Sequence, residues 1–420
     1  MSIKQQILQR YPALTSRDFV IFWVGQFISL IGTWMQNTTQ PYLAYRLSGK
    51  PFDLGLIGFA SALPTLLLAL PAGVLVERLD KRKTVIAMQV VMMLQALALA
   101  FLALTGMIQI WHIVLLAFLL GTANAIEITA RQAMLIELVG KGPLPNAIAL
   151  QATIFNAARV IGPSLVAPFL IFIQGNGEGW AFLANGISYL FIILSLFFVR
   201  TPFKTVVEKV ARRNLWEEFR EGQVYIRQTR SVAMIILMAS LLGWFGFPLL
   251  QQIPVIARDV LAQAGDTEAL RAARNSALYT AQGIGALIAA VTLASFNPKR
   301  KGWVLTIGQF TFIFSLIILS LTKNIPTALA LILLIGWGTV TMLATMNTLI
   351  QLEVPDALRG RVFATYLWAL QGVAPFGSLS VGWMAQNWGV PMAALISGVI
   401  CLVTIGLIQL FNPEIRSRVL

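Results

Sequence analysis

Cysteine, histidine and charge are all scarce in this chain of 420 residues. There is one cysteine, Cys401, and one histidine, His112. A single cysteine excludes an intramolecular disulfide framework, and the pair excludes a His/Cys metal cluster. Only 11% of residues are charged, against about 25% in a soluble domain. Hydrophobic residues make up 57%, and mean hydropathy is +0.77. This balance excludes ordinary globular and disordered chains and leaves a polytopic membrane protein. No phosphate-binding Gly-rich loop with Lys-Ser/Thr is present, so ATP hydrolysis is not expected. No enzyme constellation and no cofactor site is expected either. The opening MSIKQQILQRYPALTSRDF is polar and short, without the apolar core or cleavage site of a signal peptide.

What the chain has in abundance is apolar runs of spanning length. They fall at 19–43, 54–75, 84–105, 111–132, 147–173 and 181–199. After a polar, basic stretch from 200 to 230, six more follow at 231–256, 276–296, 303–322, 327–350, 362–385 and 392–411. The expected fold is all-α, with twelve transmembrane helices and three parts: a bundle at 1–199, a linker at 200–230 and a bundle at 231–420. An even number of spans puts both termini on one side. If that side is cytoplasmic, 24 of the 31 Lys and Arg residues lie there, and Arg46, Lys50, Arg258, Arg271, Arg274 and Lys323 lie opposite. Such asymmetry predicts both ends inside. The net charge of +14 is therefore topological, a matter of loops and anionic lipid rather than of a nucleic-acid partner.

One charge does not fit the loops. Arg159 lies inside QATIFNAARVIGPSLVAP, about a dozen residues from either end of the fifth span. A cation at that depth costs about 3 kcal/mol on insertion scales. Ala152, Asn156, Arg159, Pro163 and Ala167 share one small, polar helical stripe, while Leu150, Ile154, Ile161 and Leu165 fall elsewhere. The stripe predicts that Arg159 faces an internal, hydrated cavity. The alternative is a structural guanidinium bonding to carbonyls of a neighbouring helix. Gly162-Pro163 is expected to loosen the helix beyond it.

The halves look related. AIEITARQAMLIELVGKGPLPNAIALQATIFNAARVIGPSL is echoed by TMLATMNTLIQLEVPDALRGRVFATYLWALQGVAPFGSL. Glu137 then matches Glu353, Arg159 matches Gln371, and Gly162-Pro163 matches Ala374-Pro375. DKRK at 80–83 is echoed by PKRK at 298–301. This reads as a parallel repeat of six spans, related by an axis along the membrane normal. In the linker, NLWEEFREGQVYIRQ (214–228) predicts an amphipathic helix on the cytoplasmic surface, with Asn214 as N-cap and Trp216, Phe219 and Tyr225 alternating with charge.

Four patches carry a family resemblance: FWVGQFISLIGTWMQ (22–36), GFASALPTLLLALPAGVLVERLDKRK (58–83), ITARQAMLIELV (128–139) and NAIALQATIFNAARVIGPSL (146–165). In this order, on these spans, the chain resembles the major facilitator superfamily, and within it the subgroup of the bacterial enterobactin exporter and related efflux proteins. The resemblance implies two six-helix bundles related by pseudo-two-fold symmetry, a bacterial inner-membrane location and a monomer. It also implies a gate. The loop between the second and third spans resembles the superfamily's signature through Gly73, Leu75, Glu77, Arg78, Arg82 and Lys83, with Glu77 in place of the usual Asp and Asp80 in place of a Gly. By resemblance Glu77 would latch onto Arg131 and onto the region of Arg361. Gly162-Pro163 resembles the antiporter signature, but Leu165 and Val166 stand where its later glycines fall.

Glu127 is the only carboxylate placed within a span, which makes it the candidate for proton coupling. An i, i+4 salt bridge to Arg131 is the alternative. Further candidates for the cavity are Gln26, Gln36, Asn37, Asn156, Trp244, Gln251, Tyr279, Gln282, Asn347, Tyr366 and Gln371. His112 and tryptophans 111, 180 and 388 fall where interfacial residues sit. The expected function is a proton-coupled exporter of a siderophore-like or drug-like compound by alternating access, with protons and membrane lipid as its other partners. A lysophospholipid flippase and a non-transporting membrane sensor are the alternatives.

Overall fold

The computed structural model describes residues 11–173, 176–203, 215–296 and 300–414; the side chains of residues 69, 70, 72–75, 77, 78, 215, 216 and 218 also lie outside this description. Every regular element among the described residues is helical. The first half contains α1 (Arg17–Ser48), α2 (Pro51–Arg78), α3 (Lys81–Leu104), α4 (Ile110–Val139), α5 (Leu144–Phe172) and α6 (Gly177–Phe198). The linker carries α7 (Leu215–Gln228). The second half contains α8 (Arg230–Val260), α9 (Glu268–Phe296), α10 (Lys301–Leu321), α11 (Ile325–Glu353), α12 and α13 (Val390–Phe411).

Two helices are interrupted. In α8, π turns at Leu242–Gly246 and Ile256–Val260 interrupt the regular coil. In α12, the run Asp356–Leu367 passes through a π turn, Trp368–Gly372, into Ala374–Trp388. Eleven helices are each long and apolar enough to cross a membrane, and α12, in two pieces, covers the remaining apolar run read at 362–385. The break at α12 falls just ahead of Pro375, whose missing N–H cannot continue the ladder. The matching Gly162-Pro163 behaves differently from the expectation: α5 is unbroken from Leu144 to Phe172. Proline still takes away the N–H that would reach back four residues, so the carbonyl of Arg159 has no i+4 donor.

Local chemistry sets the ends. Asp80 caps α3, its carboxylate accepting from Lys83 N at 3.0 Å. Asn324 caps α11 by accepting from Thr327 N at 3.0 Å. Gly140 closes α4 at φ 77°, a conformation that side chains with a Cβ rarely adopt. At about 1.5 Å per residue, the 32 residues of α1 span roughly 48 Å, well beyond the ~30 Å hydrocarbon core. The helices thus overrun the apolar segments read from the sequence.

Contacts divide the chain into two units: residues 1–43 with 63–208, and residues 44–62 with 209–420. In the first unit α3 packs along α4 and α6; in the second α10 packs along α11 and α13. These are the same positions within each six-span set. The repeat extends to buried polar groups. In the first unit Gln36 of α1 donates to Gln95 of α3 at 3.1 Å and accepts from Asn185 of α6 at 2.7 Å. In the second, Gln309 of α10 donates to Met238 Sδ of α8 and accepts from Gln409 of α13 at 3.0 Å. Spans one, three and six of each set are therefore tied by amides, which serve as interhelical glue where water is excluded.

The second unit includes the end of α1 and the first part of α2. Tyr45 Oη donates to Asp259, Gln252 Nε2 donates to Pro51 O at 3.3 Å, and Phe59 meets Phe376 edge-on at 6.1 Å. Gly55 lies directly on Ser378 and Gly382, where any Cβ would collide with backbone. The linker helix α7 also belongs to this unit. Its Gln223 donates to Thr365 at 2.9 Å, Tyr225 Oη donates to Glu353 O at 3.2 Å, and Glu221 pairs with Arg361. One face of the helix is thus docked on α11 and α12, while Phe219 and Val224 stay exposed. Asn214 and the side chain of Trp216 lie outside the described residues.

Candidate functional site

α5 brings Arg159 to α1. Gly162 makes this approach: a Cβ there would lie 2.5 Å from Trp34 Cβ and 2.8 Å from Ile31 O. With the helices so close, the Arg159 guanidinium carbon sits 5.4 Å from the centroid of the Trp34 ring. That is cation–π range, where the indole face attracts a cation. Phe155, one turn earlier on α5, meets Trp34 edge-on at 5.5 Å and is 47% exposed. Arg159 has no ion-pair or hydrogen-bond partner among the described residues, and its Nε is buried without one. Its neighbour Asn156 turns its amide back to Ala152 O at 2.8 Å. The chemistry on offer is a fork of donors over an aromatic floor, suited to a planar or anionic group.

A second cluster lies lower in the same unit. Glu127 of α4 is 3% exposed. Its Oε1 accepts from Arg131 Nε at 3.0 Å and from Gln89 Nε2 of α3 at 3.1 Å. The i, i+4 pair offered by the sequence spacing is present, and Gln89 joins it across the helices, a partner that local spacing does not signal.

The remaining candidates are distributed unevenly. Gln36 does not line an opening; it is fully enclosed in the amide network with Gln40, Gln95 and Asn185. Gln26, Gln282 and Tyr366 are also buried, while Asn37, Trp244 and Gln371 are exposed. Gln251 is half-buried against Gly58, and Tyr279 is half-buried. Asn347 accepts from Gln351 one turn later.

Of the expected gating residues, the side chains of Gly73, Glu77 and Arg78 lie outside the described residues. Arg82 donates to Phe197 O at 3.1 Å, and Arg131 and Arg361 are held by Glu127 and Glu221. Lys81, which the sequence reading left with the general basic charge, pairs with Glu137 at the end of α4. Asp18 accepts from Arg200 N, Thr201 N and Thr201 Oγ1 at 3.0, 2.8 and 2.7 Å, which binds the entry of α1 to the exit of α6. His112 accepts from Gln109 N at 3.0 Å and lies against the Trp111 ring, so it caps α4.

Known proteins resemble the chain along nearly its whole length. The staphyloferrin A transporter of Staphylococcus aureus is 25% identical over 406 residues, covering 94% of this chain and 97% of the relative. The multidrug efflux pump Tap of Mycolicibacterium fortuitum is 23% identical, covering 90% and 91%. The solved structure of the nucleoside transporter NupG superposes with a TM-score of 0.72 at 11% identity, covering 94% and 98%, which speaks to the fold alone. The model of the family described as "transmembrane secretion effector" matches residues 9–417. The chain is therefore a multi-pass membrane transporter, not an enzyme, and belongs to the transmembrane secretion effector family of the major facilitator superfamily.

Proposed function

We propose that this protein is a proton-coupled secondary transporter that exports a small organic compound, siderophore-like or drug-like, by alternating access. In this reading it sits in a bacterial inner membrane with both termini cytoplasmic. One observation carries it: a guanidinium midway along α5 lies on Trp34 with no counter-charge among the described residues. A cation at that depth is costly unless something offsets it. Cargo carrying a carboxylate or another planar anion would do so, with the indole and Phe155 receiving its apolar part. The two relatives, one named for a siderophore and one for multidrug efflux, support the same substrate range.

Glu127 is the proposed proton site. Protonation would remove the charge that Arg131 pairs with and so release that guanidinium. The gating roles of Gly73, Glu77, Arg78, Arg82, Arg131 and Arg361 belong to the same proposal. Arg131 and Arg361 would have to leave the partners they hold here in order to serve a latch. The test is accumulation of carboxylate siderophores, catecholate siderophores and cationic dyes in cells making wild type, Arg159→Ala or Glu127→Gln. The reading expects export of at least one class in wild type and its loss in both variants. Undiminished export in both would overturn it.

A further inference from the structure

Glu127 and Gln89 face each other across α3 and α4, and each is 3% exposed. Gln89 Nε2 donates to Glu127 Oε1 at 3.1 Å. The orientation follows from chemistry: an ionised carboxylate only accepts, so the amide must present its nitrogen. The consequence falls on the other end of the amide. Gln89 Oε1 is buried and has no hydrogen-bond partner among the described residues. Buried carbonyls are nearly always satisfied, so this oxygen is an acceptor in reserve beside the acid.

The groups around Glu127 differ in what they can do. Arg131, on its own helix, donates from Nε at 3.0 and 3.3 Å; it can only donate, so it cannot accept the O–H of the neutral acid. Tyr189 of α6 is a further titratable group near this cluster among the described residues, and its phenol is engaged with Thr33 at 3.3 Å. α3 supplies an amide rather than a charge, and an amide serves either form. A half-turn about the Gln89 Cγ–Cδ bond exchanges Nε2 for Oε1. The orphan carbonyl would then accept the O–H of the neutral acid.

We propose that Gln89 is a positioning residue for proton exchange at Glu127. It holds the carboxylate through Nε2–H and, once a proton from water has neutralised it, holds the acid through Oε1. Only Glu127 changes charge in this step: one O–H bond forms on it when the proton binds and breaks when the proton leaves. The proposal rests on the reading of Glu127 as the proton site.

The test is a pH titration of the full-length protein in liposomes, followed by infrared difference spectroscopy of the carboxylic-acid carbonyl band. Glu127→Gln identifies which part of the band belongs to Glu127. Gln89→Met keeps the side-chain length and removes both donor and acceptor. The expected result is a midpoint about one pH unit higher in Gln89→Met, since the anion loses a charge-assisted bond worth more than the bond the neutral acid loses. In wild type, with 13C-labelled glutamine, an amide carbonyl signal should move with the same midpoint and vanish in Glu127→Gln. This second measurement does not depend on Gln89→Met folding. An unmoved midpoint together with a silent amide would overturn the role of Gln89 and leave Glu127 as a proton site. Absence of any Glu127-dependent band in wild type would instead overturn the underlying reading of Glu127, and the proposal with it.

Discussion

The guanidinium of Arg159 lies over the indole of Trp34, 5.4 Å from the ring centroid, on two helices that meet at Gly162. The guanidinium has no hydrogen-bond or ion-pair partner among the described residues, and a ligand's anionic group is the partner we assign to it. Replacing Arg159 by Lys keeps the charge but loses the planar fork. We expect Arg159→Lys to reduce apparent affinity for an anionic cargo at least tenfold, and Arg159→Ala to abolish its export. Transport kinetics in proteoliposomes would check both.

Gly162 is predicted to be intolerant. A Cβ there meets Trp34 Cβ at 2.5 Å and the Ile31 carbonyl at 2.8 Å, and that backbone has no room to retreat. Gly162→Val should push α5 away from α1, lower the unfolding temperature and displace Arg159. Gly142, whose Cβ would meet open space, is the control. Thermal unfolding of Gly162→Val and Gly142→Ala should separate sharply; equal stability would contradict the close approach.

The amide network should be worth less than its number of bonds suggests. Gln36→Leu strands Asn185 Nδ2 and Gln95 Oε1, a loss of about 1–3 kcal/mol for buried groups left unpaired. Removing Gln95 as well restores part of it, because one of the stranded partners goes too. A double-mutant cycle with Gln95→Leu, read by denaturant unfolding in detergent, should show a positive coupling near the ~0.6 kcal/mol typical of bonds between membrane helices.

Asp266, in the loop between α8 and α9, gives a pH signature outside the spans. Its carboxyl is held below the usual range by the N–H of Gln263 at 2.9 Å and by Arg274. A carboxyl depressed in the folded state stabilises above its unfolded pKa, and that stability is lost as pH falls through the folded value. Asp266→Asn should therefore lower the unfolding temperature at pH 7. The gap to wild type should close as pH falls through the depressed folded value of this carboxyl. A gap that persists unchanged into acid would show that the carboxylate's charge is irrelevant there.

The parts legible in the sequence were those that a local pattern carries. Apolar runs placed the eleven helices long and apolar enough to span, and the i, i+4 spacing of Glu127 and Arg131 offered as one alternative a pair that is present. Arg159 stood out because a cation in an apolar run is costly wherever it points. What spacing could not carry was partnership across the chain. Gln36 and Asn185 are 149 residues apart, and Gln89 is 38 from Glu127. An amide in a span reads the same whether it faces an opening or a neighbouring helix, so the pattern alone does not separate an enclosed Gln36 from a cavity residue. Arg361 was read through the superfamily's latch, but the linker puts Glu221 beside it first. The prolines also diverged. Pro163 sits in an unbroken helix, while the stretch before Pro375 relaxes into a π turn.

The most direct test of the account is a thermal-shift comparison of wild type and Arg159→Ala with one ligand in two forms. A carboxylate siderophore and its methyl ester differ only in the group that the guanidinium should hold. A bound ligand raises unfolding temperature in proportion to occupancy. The account predicts that the free acid stabilises wild type by several degrees, and that the ester with wild type and either form with Arg159→Ala give little or nothing. Equal stabilisation by acid and ester, or by the acid in both proteins, would contradict it.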